Sequence, residues 1–305
     1  MLHPDGRVSD VQRRQMTTVA APNVHNIALA GSFDDAQAIV KQLFRDPDLS
    51  SQLSLGAVNS INWARLMAQV VYYFAAALQL GAPDRSVAFS VPTGNFGDVF
   101  AGYVAARMGL PIARLVVATN VNDILHRALS QGDYSTGTVS PTSAPSMDIQ
   151  VSSNFERLLF DLHGRDGERL SRAMTGFETT GRMQLDAAHR EEAAGLFASV
   201  RADADDTARA MRWACEAAGQ IVDPHTGIGL HAARAQDLPP GTPIVTLATA
   251  HPGKFRDAVE RATGTRPSLP ARVGDLFARR EHYVTLPAEY DAVAAHVLRH
   301  GLAGL

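Results

Sequence analysis

The residues best suited to chemistry lie in a short turn, Gly94-Asn-Phe-Gly-Asp98. An apolar run with Val87, Phe89 and Val91 precedes this turn and predicts a buried strand. The residues after the turn predict a helix that ends near Gly109. A turn from a strand into a helix directs several backbone N–H groups toward one point at the positive end of the helix, so this pattern is suited to binding a phosphate group.

The turn by itself leaves a second interpretation open, because paired glycines in such turns also serve close packing. It is not a P-loop, since no Gly-Lys-Ser/Thr ending follows, and it is not the G-x-G-x-x-G fingerprint of dinucleotide sites. Asp98 would repel a phosphate unless its carboxylate accepts hydrogen bonds from other donors. It could instead serve as a favourable negative charge at the start of the helix.

A second group, Asn59-Ser-Ile-Asn-Trp-Ala-Arg65, places two amides, a hydroxyl and an arginine within about two helical turns. Ser60 and Asn62 can cap the long apolar helix that is predicted to continue up to Gly81. An arginine near a helix start opposes the helix dipole, so Arg65 is better placed if its planar guanidinium binds an anion. The alternative is a surface ion pair between Arg65 and an aspartate.

Polar residues also follow the strand predicted at 243–248, since Thr249 and His251 come directly after it. Open parallel sheets bind ligands at this end of their strands. His225 and Thr226 follow Asp223-Pro224 at the start of another predicted helix, where Thr226 could simply be a cap. Each of these residues is equally consistent with a structural role. The sequence shows no metal-ligand spacing and no G-x-S-x-G elbow, so no metal site is predicted.

Buried strands and helices alternate along the chain, which predicts an α/β fold with mostly parallel sheets flanked by helices. Between about residues 147 and 220 the patterns are helical without a convincing strand, which predicts a helical insertion. A polar stretch near 50–54 suggests a domain boundary. Residues 1–55 would then form the remainder of a smaller α/β domain and residues 56–305 a larger one. The predicted strands are 26–30, 87–91, 113–119, 243–248 and 283–286.

Composition excludes several classes of protein. The chain has 305 residues, of which 46% are hydrophobic and 19% charged, and a net charge of −3. This balance gives no indication of a nucleic-acid or membrane partner. A single cysteine excludes an intrachain disulfide, and no signal peptide or membrane-spanning run is present in the sequence. A cytoplasmic protein is therefore expected.

Taken together, the motifs resemble those of the threonine synthase family. The resemblance extends over nearly the whole chain, and the combination is far more specific than any single motif. The segments that carry it are His3-Pro-Asp-Gly-Arg-Val-Ser9, Val11-Gln-Arg-Arg-Gln-Met-Thr-Thr18, Asn23-Val-His-Asn26, Asn59-Ser-Ile-Asn-Trp-Ala-Arg65, Val91-Pro-Thr-Gly-Asn-Phe-Gly-Asp98, Ala118-Thr-Asn120, Asn122-Asp-Ile-Leu-His126, Ser153-Asn-Phe-Glu-Arg157, Asp223-Pro-His-Thr226 and Thr249-Ala-His-Pro252.

The resemblance implies a pyridoxal 5'-phosphate (PLP) enzyme of the tryptophan synthase β-like fold, fold type II. The family converts O-phospho-L-homoserine and water to L-threonine and phosphate. By the resemblance, the cofactor phosphate would be bound by Gly94, Asn95, Phe96, Gly97 and Asp98, and Thr249 would face the pyridine nitrogen. Asn59, Ser60 and Arg65 would bind the phosphate of the substrate. This last segment argues against a different lyase of the same fold type.

The sequence departs from the family at the Schiff-base lysine, which in the family lies in a segment N-terminal to everything seen in this chain. The only lysines are Lys41 and Lys254, and neither has the family's lysine motif around it. The resemblance therefore implies an N-terminally truncated threonine synthase with no catalytic lysine of its own, inactive in isolation. The alternative is a non-catalytic relative that binds a phosphorylated small ligand.

Overall fold

The computed structural model describes residues 1–56 and 58–301. By their contacts these residues divide into two units, one formed by Met1–Ala57 with Ser268–Leu305 and the other by Val58–Pro267. Each unit contains its own parallel sheet. The strands are β1 (Leu2–Pro4), β2 (Ile27–Ala30), β3 (Val87–Pro92), β4 (Ile112–Thr119), β5 (Asp133–Ser135), β6 (Arg182–Gln184), β7 (Phe197–Arg201), β8 (Ile244–Thr246) and β9 (Val284–Pro287).

The helices begin mostly at side-chain caps. Asn62, Asp166, Asp203 and Asp223, for example, each accept backbone N–H bonds at the start of a helix. The helices are α1 (Asp10–Thr17), α2 (Phe33–Arg45), α3 (Pro47–Gln52), α4 (Trp63–Gln79), α5 (Gly97–Arg107), α6 (Ile124–Gln131), α7 (Phe155–Leu162), α8 (Gly167–Thr180), α9 (Ala187–Ala194), α10 (Ala204–Ala218), α11 (Pro224–Arg234), α12 (Arg256–Thr263) and α13 (Tyr290–Gly301).

The larger unit is organised around a four-stranded parallel sheet in the order β7-β4-β3-β8. All six residues of β3 are buried, as expected for a central strand covered on both faces. Its core includes Tyr73 of α4 and Phe89 of β3, whose ring centroids lie 4.8 Å apart. The predicted parallel α/β arrangement is thus present, and the central strand ends at the turn that follows Pro92.

The smaller unit has a three-stranded parallel sheet in the order β1-β2-β9. Its core is formed by Ile27 and Leu29 of the central strand with Ile39 and Leu43 of α2 and Val293 of α13. Residues 268–301 belong to this unit because β9 pairs with β2 and α13 packs on α2. This differs from the boundary drawn from the sequence, which assigned 56–305 to a single domain.

The predicted helical insertion at 147–220 also differs from the structure. It contains two strands, β6 and β7, and β7 forms the edge of the main sheet by pairing Leu115–Thr119 with Phe197–Arg201. The helix α9 ends at Ala194, before this strand. Within residues 1–56 and 58–301, no helix combines the length and apolar character needed to cross a bilayer.

Candidate functional site

A cavity of about 210 Å³ opens in the larger unit at the carboxyl end of β3. Three stretches of the chain converge on it: the turn 93–98, the start of α4 with Ser60 and Arg65, and the segment 249–255 after β8. His225 of α11 also lines the cavity. The carboxyl end of a parallel sheet is where α/β proteins bind ligands, so the topology itself indicates a binding site.

The turn between β3 and α5 forms one wall of this cavity. Phe96 occupies the N-cap position of α5 with a left-handed backbone, φ 61°. A non-glycine residue in this conformation costs on the order of 1–2 kcal/mol. Packing compensates, because the buried Phe96 ring lies edge-on against Phe155, with centroids 5.2 Å apart, and near Phe197. A phenyl ring cannot cap the helix, so the first N–H groups of α5 are available to a ligand.

The two glycines of the turn differ in how closely they are packed. A Cβ at Gly94 would lie 2.6 Å from the carbonyl oxygen of Ser146, in the helical turn Pro145–Met147. A Cβ at Gly97 would meet the Asn154 side chain at 3.3 Å and the Ser60 carbonyl oxygen at 3.5 Å, which is tight but not a clash. Close packing therefore requires glycine at position 94.

Asn154 connects the turn to the segment just before α4 through hydrogen bonds. Its Nδ2 donates to the carbonyl oxygens of Asn95 and Ser60, both at 3.0 Å, and its backbone N–H donates to Asn95 at 3.1 Å. The side chain is fully buried, and its Oδ1 accepts a bond from Arg157. Asn154 was not among the predicted site residues, although it lies in the resembling segment 153–157.

Two serines next to Asn154 add to this support. Ser152 Oγ donates to the Gly94 carbonyl at 2.8 Å, and Ser153 Oγ donates to Asn95 Oδ1 at 3.1 Å. The backbone carbonyl groups of Gly94 and Asn95 therefore accept their hydrogen bonds from residues 152–154. The N–H groups of the turn, at the positive end of α5, remain on the cavity side, where an anion would be stabilised.

The awkward charge of Asp98 has a structural explanation. Its Oδ1 accepts hydrogen bonds from the hydroxyls of Tyr72, at 2.5 Å, and Tyr73, at 3.1 Å, both on α4. Burial raises the pKa of the Asp98 carboxyl above its ordinary value, while the two tyrosine hydroxyls partly oppose that shift. The carboxyl group thus accepts other donors, as the sequence required if a phosphate is to bind here.

The Asn59–Arg65 segment contributes two of its three predicted residues to the cavity. Ser60 and Arg65 line it, and Arg65 is exposed, with Nη1 donating to the Val58 carbonyl at 3.3 Å. Asn59, although within the described part of the chain, is not among the lining residues. Its Oδ1 accepts the Ile61 N–H and so shapes the turn before α4. The helix begins at Trp63, with Asn62 as its cap.

The opposite wall comes from residues after β8. Thr249 and Lys254 line the cavity, and His251 caps the short helical turn Pro252–Phe255 by accepting the Gly253 N–H. β8 itself is only partly buried, whereas the sequence predicted a buried strand at 243–248. Lys254 therefore adds a positively charged side chain to the site. The sequence does not predict this residue as part of the site.

His225 is a further residue that the sequence analysis left as structural. Its Nδ1 lies 2.7 Å from Asp223 Oδ1, and both residues are buried. Asp223, not Thr226, is the cap of α11, and it also accepts a bond from the Thr226 hydroxyl. Among the described residues, the buried Nε2 of His225 has no hydrogen-bond partner. Such an orphaned nitrogen beside a cavity indicates a missing ligand.

A second cavity of about 440 Å³ lies elsewhere in the larger unit, along α10, α11 and α12. It is larger but chemically weaker as a site. Its lining amide, Asn120, already donates to Thr142 and Asp148, and its wall contains apolar residues such as Met211 and Ile228. The cavity at the end of β3 combines helix-terminal N–H groups with arginine, lysine and histidine side chains, so it can bind an anionic ligand.

Comparison with known proteins adds two family matches. A family model described as pyridoxal-phosphate dependent enzyme matches residues 3–250. A second model, described as threonine synthase, C-terminal, matches residues 226–297. Among curated relatives, the threonine synthase of Pseudomonas aeruginosa is 53% identical over 305 residues, and that of Corynebacterium glutamicum is 43% identical.

Solved structures give the same result. A PLP-bound threonine synthase from Brucella melitensis matches 98% of this chain with a TM-score of 0.92 and 50% identity. The Escherichia coli threonine synthase matches with a TM-score of 0.80 and 34% identity. The match to the Pseudomonas relative covers 100% of this chain and 65% of that protein, and the match to the Corynebacterium relative covers 98% of this chain and 63% of that protein. Each of the two structures is covered over 64% of its length. The chain therefore spans about two thirds of the length of the proteins it matches. These matches confirm the predicted resemblance and the predicted fold class.

Proposed function

The chain belongs to the family of pyridoxal-phosphate dependent enzymes, and from this membership we propose that the cavity at the end of β3 is its PLP site. In this proposal the phosphate of the cofactor is bound by the turn formed by Gly94, Asn95, Phe96, Gly97 and Asp98. Thr249, on the opposite wall, faces the pyridine nitrogen with a neutral hydroxyl. The observation that carries the proposal is the turn at the N-terminus of α5. Asn154 donates a hydrogen bond to this turn, and the backbone at Gly94 packs so closely that a side chain there would clash.

The residues present fit such a group. The N–H groups at the start of α5 and the side chains of Arg65 and Lys254 are complementary to a dianionic phosphate. The orphaned Nε2 of His225 requires a partner that the described residues do not provide. When bound, PLP supplies an electron sink for carbanion chemistry, and the protein supplies binding, orientation and electrostatics.

For the substrate we propose O-phospho-L-homoserine, with its phosphate bound by the Asn59–Arg65 segment, in which Ser60 and Arg65 make the direct contacts. Ser60 and Arg65 line the same cavity as the turn, which brings the two anionic groups within one site. Asn59 contributes by shaping the turn that presents Ser60. The whole protein would convert this substrate and water to L-threonine and phosphate by β,γ-elimination and replacement, as a threonine synthase. A cytoplasmic location is part of this proposal.

His225 is suited to handle a proton in this site. Asp223 accepts from Nδ1 and thereby fixes the tautomer, which leaves Nε2 as the acceptor on the cavity side. Because the pair is buried, the ring cannot exchange its partner for bulk water without local opening. We assign His225 the role of accepting or returning a proton at Nε2 near the substrate.

The alternative is a non-catalytic protein of the same family that binds a phosphorylated small ligand. The lysines of this sequence are Lys41, exposed on α2, and Lys254. Neither lies in the motif that carries the cofactor lysine in the resembling family. On either reading the chain binds a phosphorylated ligand, and the two readings differ in whether threonine is formed.

Equilibrium dialysis of the 305-residue chain against PLP, and separately against O-phospho-L-homoserine, tests the proposal. We expect both to bind, and we expect Arg65→Ala to weaken the phosphohomoserine complex more than the PLP complex. Lys41→Gln, on an exposed helix face, is the matched control and should change neither. Chromatographic detection of threonine after incubation with both compounds shows whether this chain alone is active, and we expect none. Binding of O-phospho-L-homoserine without binding of PLP would favour the non-catalytic alternative, and absence of PLP binding would refute the assigned PLP site.

A further inference from the structure

A group of three histidines lies in the smaller unit, which contributes none of the described residues that line the cavity. One ring nitrogen each from His25, His296 and His300 lies within 4.8 Å of the other two. His296 and His300 stand four residues apart on α13, which places both on one face of the helix. His25 lies two residues before the central strand β2. From this arrangement we propose that the three imidazoles form a binding site for a divalent transition metal, with Zn²⁺ as the expected ion.

The three rings pack against one another, and a modest rearrangement would bring their nitrogens to metal-binding distances. The rings of His25 and His300 have centroids 4.4 Å apart, and those of His296 and His300 are 4.3 Å apart. Tetrahedral Zn²⁺ with Zn–N bonds of about 2.05 Å separates its ligand nitrogens by about 3.3 Å. Closing the triangle from 4.8 Å requires each nitrogen to move by about 1 Å, which side-chain rotation supplies.

A further observation points to a ligand. The Nε2 of His296 is buried and has no hydrogen-bond partner among the described residues. Three imidazoles from two elements whose ring nitrogens lie this close together can share one metal ion through their lone pairs.

The chemistry of the three side chains is also suitable. The neutral imidazole is the form that binds a metal. Three protein ligands leave the fourth tetrahedral position for water. A metal bound here would link α13 to His25, just before β2, and so connect the C-terminal helix to the central strand of the same unit.

The test uses the full chain after removal of metal with a chelator. Zn²⁺ alone is titrated into the protein in the presence of a chromophoric chelator that competes for the ion. Mg²⁺ is the control ion, because it prefers oxygen ligands to imidazole. We expect one equivalent of Zn²⁺ per chain and a rise in the melting temperature. His296→Asn and His300→Asn should each weaken binding at least tenfold.

The matched control is His231→Asn, which removes a partly exposed histidine from α11 in the larger unit. It should leave the affinity unchanged. Because a substitution at the buried His296 could perturb folding, circular dichroism of each variant is compared with that of the parent, and His25→Asn gives an independent measurement on the other element. Substoichiometric binding, or binding that survives His296→Asn and His300→Asn in folded protein, would overturn the proposal.

Discussion

Asn154 provides the sharpest test of how the site is held together. Replacing it by alanine removes two hydrogen bonds donated by Nδ2, to the carbonyl oxygens of Ser60 and Asn95, and one accepted by Oδ1 from Arg157. Asn95 keeps the backbone bond from residue 154, whereas Ser60 loses this partner. An unsatisfied acceptor costs about 1–3 kcal/mol and each remaining bond about 1 kcal/mol. We therefore expect Asn154→Ala to lower the free energy of unfolding by about 3–5 kcal/mol.

Urea unfolding followed by tryptophan fluorescence measures this loss of stability in the larger unit, which contains Asn154. The two tryptophans, Trp63 and Trp213, both lie within Val58–Pro267, so the signal reports the larger unit. Gln184→Ala is the matched control, because it removes a surface amide that donates to the Gln131 carbonyl. It should cost under about 0.5 kcal/mol. If Asn154→Ala cost no more than this control, the assigned role of Asn154 would be wrong.

Three further predictions concern the same cavity. Gly94→Ala forces a Cβ against the Ser146 carbonyl at 2.6 Å, so it should destabilise the larger unit by about 1–3 kcal/mol in the same urea assay and weaken PLP binding in dialysis. Gly176→Ala, in a helix with open space around it, should instead stabilise by about 0.5–1 kcal/mol. Burial raises the pKa of Asp98 above its ordinary 3.8, so the folded protein binds that proton more tightly and the contribution of this carboxyl to stability is lost as pH rises through the folded pKa. Asp98→Asn should therefore gain stability relative to the parent as pH rises from 3.8 toward neutral, and a constant difference in urea midpoints across that range would contradict the shift. Lys254→Gln should weaken PLP binding about tenfold, equivalent to about 1.4 kcal/mol, while Lys41→Gln leaves it unchanged; equal effects of the two in dialysis would remove Lys254 from the site.

The local parts of the site could be predicted from the sequence because they depend on neighbouring residues. The strand expected at 87–91 is Val87–Pro92, and the helix expected to end near Gly109 is Gly97–Arg107. The left-handed Phe96 between them could not be predicted in the same way. Its conformation is offset by packing against Phe155 and Phe197, which lie far away in sequence. The strand–turn–helix pattern therefore indicates where the turn is but not which way its side chains point.

The strand β7 shows a different limit. Residues 197–201 follow an alanine-rich helix and were predicted to continue it, since a five-residue segment has too few positions for a clear alternation. What fixes the extended conformation is pairing with β4, whose partner residues lie about 80 positions earlier in the chain. Contacts of this kind decide the structure of edge strands, and a single sequence does not reveal them.

The region read from the sequence as a helical insertion is better understood as the support of the site. Residues 152–154, at the start of α7, satisfy the carbonyl groups of Gly94 and Asn95, and through Asn154 also that of Ser60. A single buried amide therefore connects the turn proposed for the cofactor phosphate to the segment proposed for the substrate phosphate. Because the two carbonyls share one donor group, displacement of either segment weakens a bond to the other. The two segments proposed to bind phosphate are thus held at a fixed separation, as the proposed reaction of a substrate with a cofactor at one carbon would require.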